Sequence, residues 1–324
     1  MLLTACGGGG GGGGGFPMIA PPAAVAPPAA PPEPAPEPEA DPMAITPYTY
    51  QLGAQDISDP KALLAELHST RMSGFLVYLS FGIHDLVKGE QRALYQKKGN
   101  AAGYEHRIRP MNEARTLASL QSQGAEGYRI TGDQFTETEF NAILSKATDS
   151  STTYEFVDTG MVLGLDGIPS NLLATFNKLG QQGYCAFDSI YPDGKLVLGR
   201  EVPTSARCVF ELVPTRAEAS HRENVEQLNA QGAKGAKFVT ELSSSGEPKN
   251  LFVRDETQRS TFSYRIVDTS SFEAPTAIES AVKAVALFNQ EGETGAKPYR
   301  VFSDPGGRPY TVFMTARGCK GLLC

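Results

Sequence analysis

Phe176-Asn177-Lys178-Leu179-Gly180-Gln181-Gln182-Gly183 decides the fold, because three other stretches repeat it. They are Leu120-Gln121-Ser122-Gln123-Gly124-Ala125-Glu126-Gly127, Leu228-Asn229-Ala230-Gln231-Gly232-Ala233-Lys234-Gly235 and Phe288-Asn289-Gln290-Glu291-Gly292-Glu293-Thr294-Gly295. Each reads apolar residue, Asn or Gln, two residues, Gly, two residues, Gly. The second glycines, Gly127, Gly183, Gly235 and Gly295, fall 56, 52 and 60 residues apart. A period of this length marks a tandem array of small units.

Leu117, Leu173, Val225 and Val285 stand three residues before the apolar residue of each motif, a spacing that puts both on one helical face. The first glycine of each pair suits the left-handed position that ends a helix, and the second a tight lead-in to the next element. A degenerate copy, Leu64, Leu67 and Arg71-Met72-Ser73-Gly74-Phe75, lies 53 residues before Gly127. Strand-like runs follow each motif, such as Tyr184-Cys185-Ala186-Phe187 and Ala236-Lys237-Phe238-Val239, then a turn and a second run such as Leu196-Val197-Leu198. The next unit opens on an aromatic-bearing strand such as Tyr154-Glu155-Phe156-Val157. The expected unit is strand, helix, strand, strand. A long first link suits a crossover helix and a short last link a hairpin.

The expected class is therefore α+β, built of tandem βαββ repeats, each a short, mostly antiparallel sheet with one helix on one face. The repeats are expected at 48–103 (degenerate), 104–153, 154–207, 208–261 and 262–324, the last with a C-terminal tail. The second is the least regular, since Phe135 to Lys146 fits either a helix or a hairpin. Units this small bury little surface alone, so neighbours are expected to share cores.

The first 47 residues have a different composition. Gly7 to Gly15 is an unbroken glycine run, and Pro17 to Pro47 is rich in Pro, Ala and Glu-Pro. Such a stretch cannot bury a core, and 7–47 is expected to be a disordered tether. Four of the 36 acidic residues and none of the 29 Lys and Arg precede residue 48, so the remainder carries a net charge of −3. With no basic run, nucleic acid is not an expected partner. No helix-compatible stretch of 18 apolar residues occurs.

Leu3-Thr4-Ala5-Cys6, directly before the tether, resembles the bacterial lipobox. The resemblance implies that residues 1–6 are the end of a lipoprotein signal, and that Cys6 carries diacylglycerol and acyl groups such as palmitate. With Gly7 next, it also implies an outer-membrane lipoprotein facing the periplasm or the surface. Only five residues precede Cys6 and none is basic, so the true start is expected upstream. A cytosolic start with an incidental Cys6 is the alternative. Tyr154-Glu155-Phe156-Val157 and Phe176-Asn177…Gly180…Gly183-Tyr184 resemble a small bacterial domain of unknown function, in about five tandem copies. That likeness implies a fold and no activity.

Cys185, Cys208, Cys319 and Cys324 remain. Cys319 with Cys324 closes a small loop if oxidised, and Cys185 and Cys208 flank a hairpin, so they suit pairing across a sheet. Free buried thiols are the alternative, and metal spacing such as Cys-x2-Cys is absent. His68, His84, His106 and His221 are scattered. No Gly-x-Ser-x-Gly elbow or His-Glu-x-x-His motif occurs. Asp158 and Asp268 suit strand-end turns, and the repeated tyrosines suit cores. No catalytic residue, metal or cofactor is expected. The expected role is a lipid-anchored, non-catalytic binding or scaffolding array for an envelope protein or glycan. The alternative is a periplasmic enzyme with a pocket between units.

Overall fold

A computed structural model describes residues 44–85, 90–136, 139–162, 167–189, 194–215, 220–244, 247–269, 272, 274, 276–303 and 309–324. Cys6 and nearly all of the tether lie outside them. The first unit runs β1 (Tyr48–Leu52), α1 (Pro60–Leu67), β2 (Phe75–Asp85) and β3 (Glu90–Lys98). The second has β4 (Tyr104–Pro110), a short α2 (Met111–Ala114), α3 (Leu117–Ala125), β5 (Arg129–Phe135) and β6 (Phe140–Ala147). The third has β7 (Thr153–Val162), α4 (Leu172–Gly180), β8 (Ala186–Ser189) and β9 (Lys195–Val202). The fourth has β10 (Cys208–Pro214), α5 (His221–Gly232), β11 (Lys237–Ser244) and β12 (Glu247–Asp255). The fifth has β13 (Thr261–Asp268), α6 (Ala277–Glu293), β14 (Ala296–Ser303) and β15 (Pro309–Arg317).

Every unit makes one three-stranded antiparallel sheet in which the third strand is central, as in β7-β9-β8. Phe135–Lys146 is a hairpin, not a helix: β5 and β6 pair from Arg129 with Ser145 to Phe135 with Phe140, whose rings stack 4.0 Å apart. Polar side chains fix where the helices start. Asp59, Thr116 and Thr276 each accept a backbone N–H in the first turn, and Ser220 with Glu223 forms a capping box on α5.

The two motif glycines divide their work differently from the sequence expectation. The second glycine is the left-handed one. Gly74, Gly127, Gly183, Gly235 and Gly295 have φ of 80°, 89°, 90°, 85° and 75°. The first glycine instead lies in the last helical turn, pressed on the next unit. A Cβ on Gly124, Gly180, Gly232 or Gly292 would stand 1.9 to 2.4 Å from the carbonyl oxygen of Tyr154, Cys208, Phe262 or Tyr48. All four first glycines thus share one environment, a helix against the opening strand of its neighbour.

The Asn one turn earlier completes this seam. A first strand is a sheet edge, with N–H and C=O groups pointing away from its only strand partner. Phe210 N donates to Asn177 Oδ1 at 2.6 Å while Asn177 Nδ2 donates to Phe210 O at 3.2 Å. Asn229 makes the same pair with Tyr264 (2.7 and 2.8 Å), and Asn289 with Tyr50 (2.7 and 3.0 Å). Gln121 Nε2 donates to Phe156 O at 3.3 Å. His68 stands at the equivalent place in the degenerate first copy, where its Nε2 accepts from His106 N at 3.4 Å. Arg71 replaces the first glycine there. This seam leans instead on β2 and β5, with Gln134 Nε2 donating to Ile57 O at 2.6 Å.

These contacts close the chain into a ring. Each unit's main helix lies on the next unit's first strand, and α6 of the fifth lies on β1 of the first. The cores straddle the seams. Phe176, Leu196 and Leu198 pack with Phe210 and Leu251, and Phe288 and Phe313 pack with Tyr48, Tyr50 and Leu94. Order begins before the expected end of the tether, since Gly99 N donates to Pro47 O at 2.7 Å and Ile45 lies against Gly295. No helix among the described residues is long and apolar enough to cross a membrane.

Candidate functional site

Ring closure turns repeated positions toward one another. Two residues after the left-handed glycine stand Arg129, Lys237 and Lys297, in the second, fourth and fifth units. The central strands of the first and third units carry Lys98 opposite Tyr48 and Glu201 opposite Tyr154. Arg129 lies within electrostatic range of Lys98, Glu201, Lys237 and Lys297, and of Tyr104 and Tyr154. All five units therefore meet through Lys98, Arg129, Glu201, Lys237 and Lys297, a convergence that places these side chains around the ring axis.

Crowding sets their proton affinities. Burial, then the charges of Arg129 and Lys98, brings the Lys237 amine down to about 8. Burial, then Lys237, Lys98 and Arg129, holds Lys297 well below an ordinary lysine. Lys98 is lowered by burial and then by Arg129. Glu201 is raised by burial, with Arg129 opposing. Burial also raises Tyr104 and Tyr154. Water nevertheless reaches the group. Lys98 and Arg129 are exposed, and Glu201, Lys237 and Lys297 are half-buried. The group is therefore reached by solvent, whereas a sealed core would desolvate all of it. Among the described residues none of the four cations pairs with a side-chain carboxylate; Lys297 Nζ donates to a terminal oxygen of Cys324 at 2.7 Å.

That oxygen belongs to the C-terminal tail, which folds against the axis. Cys319 and Cys324 are joined in a disulfide with Cα atoms 5.7 Å apart. Lys320 N donates to Gln258 Oε1 at 2.7 Å, Leu323 is buried, and Gly321 rests on the Glu201 carboxylate. A cavity of about 290 Å³ lies beside the tail, lined among others by Glu201, Thr204, Asp255 and Gln258.

The second disulfide joins Cys185 to Cys208, with Cα atoms 5.5 Å apart. It does not span one sheet, as expected from the sequence; Cys185 precedes β8 and Cys208 opens β10, so it staples the third unit to the fourth. The described histidines His106 and His221 find partners of their own. His106 is buried, with Nδ1 2.9 Å from Ser145 Oγ, and is lowered to about 4 by burial and then by His68. His221 bonds to the Tyr310 hydroxyl through Nδ1. The side chain of His84 lies outside the described residues. Asp158 closes a turn, accepting from Gly160 N at 2.7 Å. Tyr128 and Tyr264 are buried, Tyr128 beneath the Arg107 guanidinium at 3.9 Å. Tyr104 and Tyr154 are only half-buried and face the axial cations. No group of three His, Cys, Asp or Glu side chains able to hold a metal occurs among the described residues.

Sequence reasoning missed the axial group. Its one visible signal was a basic residue two places after the second glycine in three of five copies. Without closure that repetition spreads charge along an array; with closure it concentrates charge. No protein-family model matches the chain, and neither a curated protein nor a solved structure matches it.

Proposed function

We propose that this chain is a non-catalytic binding protein of the bacterial cell envelope, anchored by lipid on Cys6 and held off the outer membrane by the tether. Its ring is the binding or scaffolding module, offered to an envelope protein or glycan. The observation that carries this reading is the axial group, in which side chains from all five units are held on rigid strands around one solvent-reached point. A preorganised constellation of that kind suits recognition. The lipobox-like Leu3-Thr4-Ala5-Cys6 and the Gly/Pro-rich stretch support the anchor.

Labelled palmitate supplied to cells expressing the gene from its native locus tests the address. Incorporation lost in Cys6→Ser and recovery in the outer-membrane fraction are expected; unlabelled, soluble protein refutes the anchor. One observation favours the enzyme reading: an amine near pKa 8 and a carboxylate of raised pKa, both in the field of Arg129, resemble tuned catalytic groups. Turnover of any compound in an activity screen, lost in Lys237→Met, would replace the first reading with this one.

A further inference from the structure

Resting on that reading, we propose that the ring axis binds one compact polyanion, a small di- or trianion of the carboxylate or phosphate type. Four cations converge there from four different units, against the side-chain carboxylate of Glu201, the terminal oxygen of Cys324 that Lys297 meets, and Asp149 beside Tyr104. Proteins ordinarily separate or pair like charges, because close cations in a poorly solvated place repel. Here Lys98, Arg129 and Lys237 lie in one another's field, and among the described residues no side-chain carboxylate is ion-paired to any of them. Arg129, Lys237 and Lys297 are fixed two residues past a helix-ending glycine, and Lys98 sits in the register of a central strand. The arrangement costs stability while empty and is relieved when negative charge arrives.

Lys98 and Arg129 are the exposed members of the group, and Lys237 and Lys297 the half-buried ones, with Lys297 also held to the tail through Cys324. The exposed guanidinium suits two-point capture of a carboxylate or phosphate, with the ammonium groups as point charges. The hydroxyls of Tyr104 and Tyr154, kept protonated by burial, are added donors. One monovalent anion cannot answer four cations, so the ligand carries at least two charges, and the convergence of those cations from separate units suits a compact one. Its arrival stabilises the charged form of Lys237, so binding takes up protons near pH 8.

The test is calorimetric titration of the full chain at low ionic strength with pyrophosphate and with citrate, acetate serving as the monovalent control. Runs in two buffers of different ionisation enthalpy at pH 8 measure protons. The expected result is one site per chain for pyrophosphate, citrate or both, which says whether phosphate or carboxylate is preferred, with net proton uptake and affinity falling as salt rises. Arg129→Gln and Lys98→Gln, changes at exposed positions, should each weaken binding about tenfold or more, while Glu201→Gln tightens it. Arg129→Gln should also melt no lower than the parent without ligand, which a merely structural arginine would not allow. No saturable heat up to about 10 mM anion, or binding that both the Arg129 and Lys98 variants leave unchanged, overturns the proposal. If the chain still holds an envelope partner while taking up no anion, this inference falls and the binding reading stands.

Discussion

The seams between units make the sharpest prediction. Asn289→Ala removes the side chain that covers the β1 edge, across 239 residues of sequence. Two hydrogen bonds disappear, from Tyr50 N at 2.7 Å and to Tyr50 O at 3.0 Å, and both main-chain groups are left part-buried and unanswered by any other strand. An unsatisfied buried group costs about 1–3 kcal/mol, and water reaching this partly covered edge recovers some of that, so the expected loss is about 2–4 kcal/mol. Urea denaturation should show a lower midpoint at an unchanged m-value. Hydrogen exchange should localise the effect, with faster exchange at β1 (Tyr48–Leu52) and little change at β10, whose edge Asn177 still covers. A loss below about 0.5 kcal/mol, or exchange quickened evenly around the ring, would show that the Asn pair does not hold the seam.

Three further outcomes are expected. Gly232→Ala must push α5 off β13, because the new methyl meets Phe262 O at 1.9 Å; a loss of about 3 kcal/mol or more in Tm-derived stability is expected, against about 1 kcal/mol for Gly160→Ala, whose Cβ meets nothing within 4 Å and pays only for a φ of 70°. His106 is lowered to about 4 when folded, and the unfolded chain protonates near 6.5, so stability from keeping it neutral is complete above pH 6.5 and falls by up to about 3 kcal/mol toward pH 4; the acid slope of the denaturation midpoint should shrink in His106→Gln. Lys237 gives the alkaline counterpart. Folded it loses its proton near 8 and unfolded near 10.4, so between those values the unfolded chain binds more protons and stability rises with pH, by up to about 3 kcal/mol from this group before the buried tyrosines reverse the trend above pH 10; Lys237→Met should shrink the rise, the remainder coming from Lys297 and Lys98.

Much of the fold was legible because glycine and asparagine recur where geometry demands them. Period, strand order and antiparallel hairpins all followed from the motif. The glycine roles did not, because sequence alone cannot tell a backbone twist at Gly183 from a close approach at Gly180; both exclude a side chain. The hairpin at Phe135 to Lys146 was ambiguous for a related reason. Phe140, Ile143 and Leu144 have a helical spacing, and only pairing with β4 and β5 settles them as a strand. Closure was unreadable: nothing in Phe288-Asn289…Gly292 says that the strand it meets is the first rather than a sixth. The axial group was hidden with it, since Lys98 and Lys297 lie about two hundred residues apart and become neighbours only when the circle shuts. Cys185 with Cys208 shows the same limit. The pair was foreseeable from spacing on adjacent strand-like runs, but which two sheets it would join was not.

Because the fifth helix covers the first strand, the ring has a defined order of completion as the chain emerges from end to end. Four of its joints mature as soon as the following strand emerges, whereas the outer rim of Tyr48–Leu52 waits bare until residues 277–293 have been made. Throughout that interval the nascent chain shows a naked ladder of amides and carbonyls to any other strand nearby, including the same rim on a neighbouring nascent copy. Losing the last sixty residues would therefore injure the opposite terminus, leaving a sticky open arc in place of a shorter but self-contained protein.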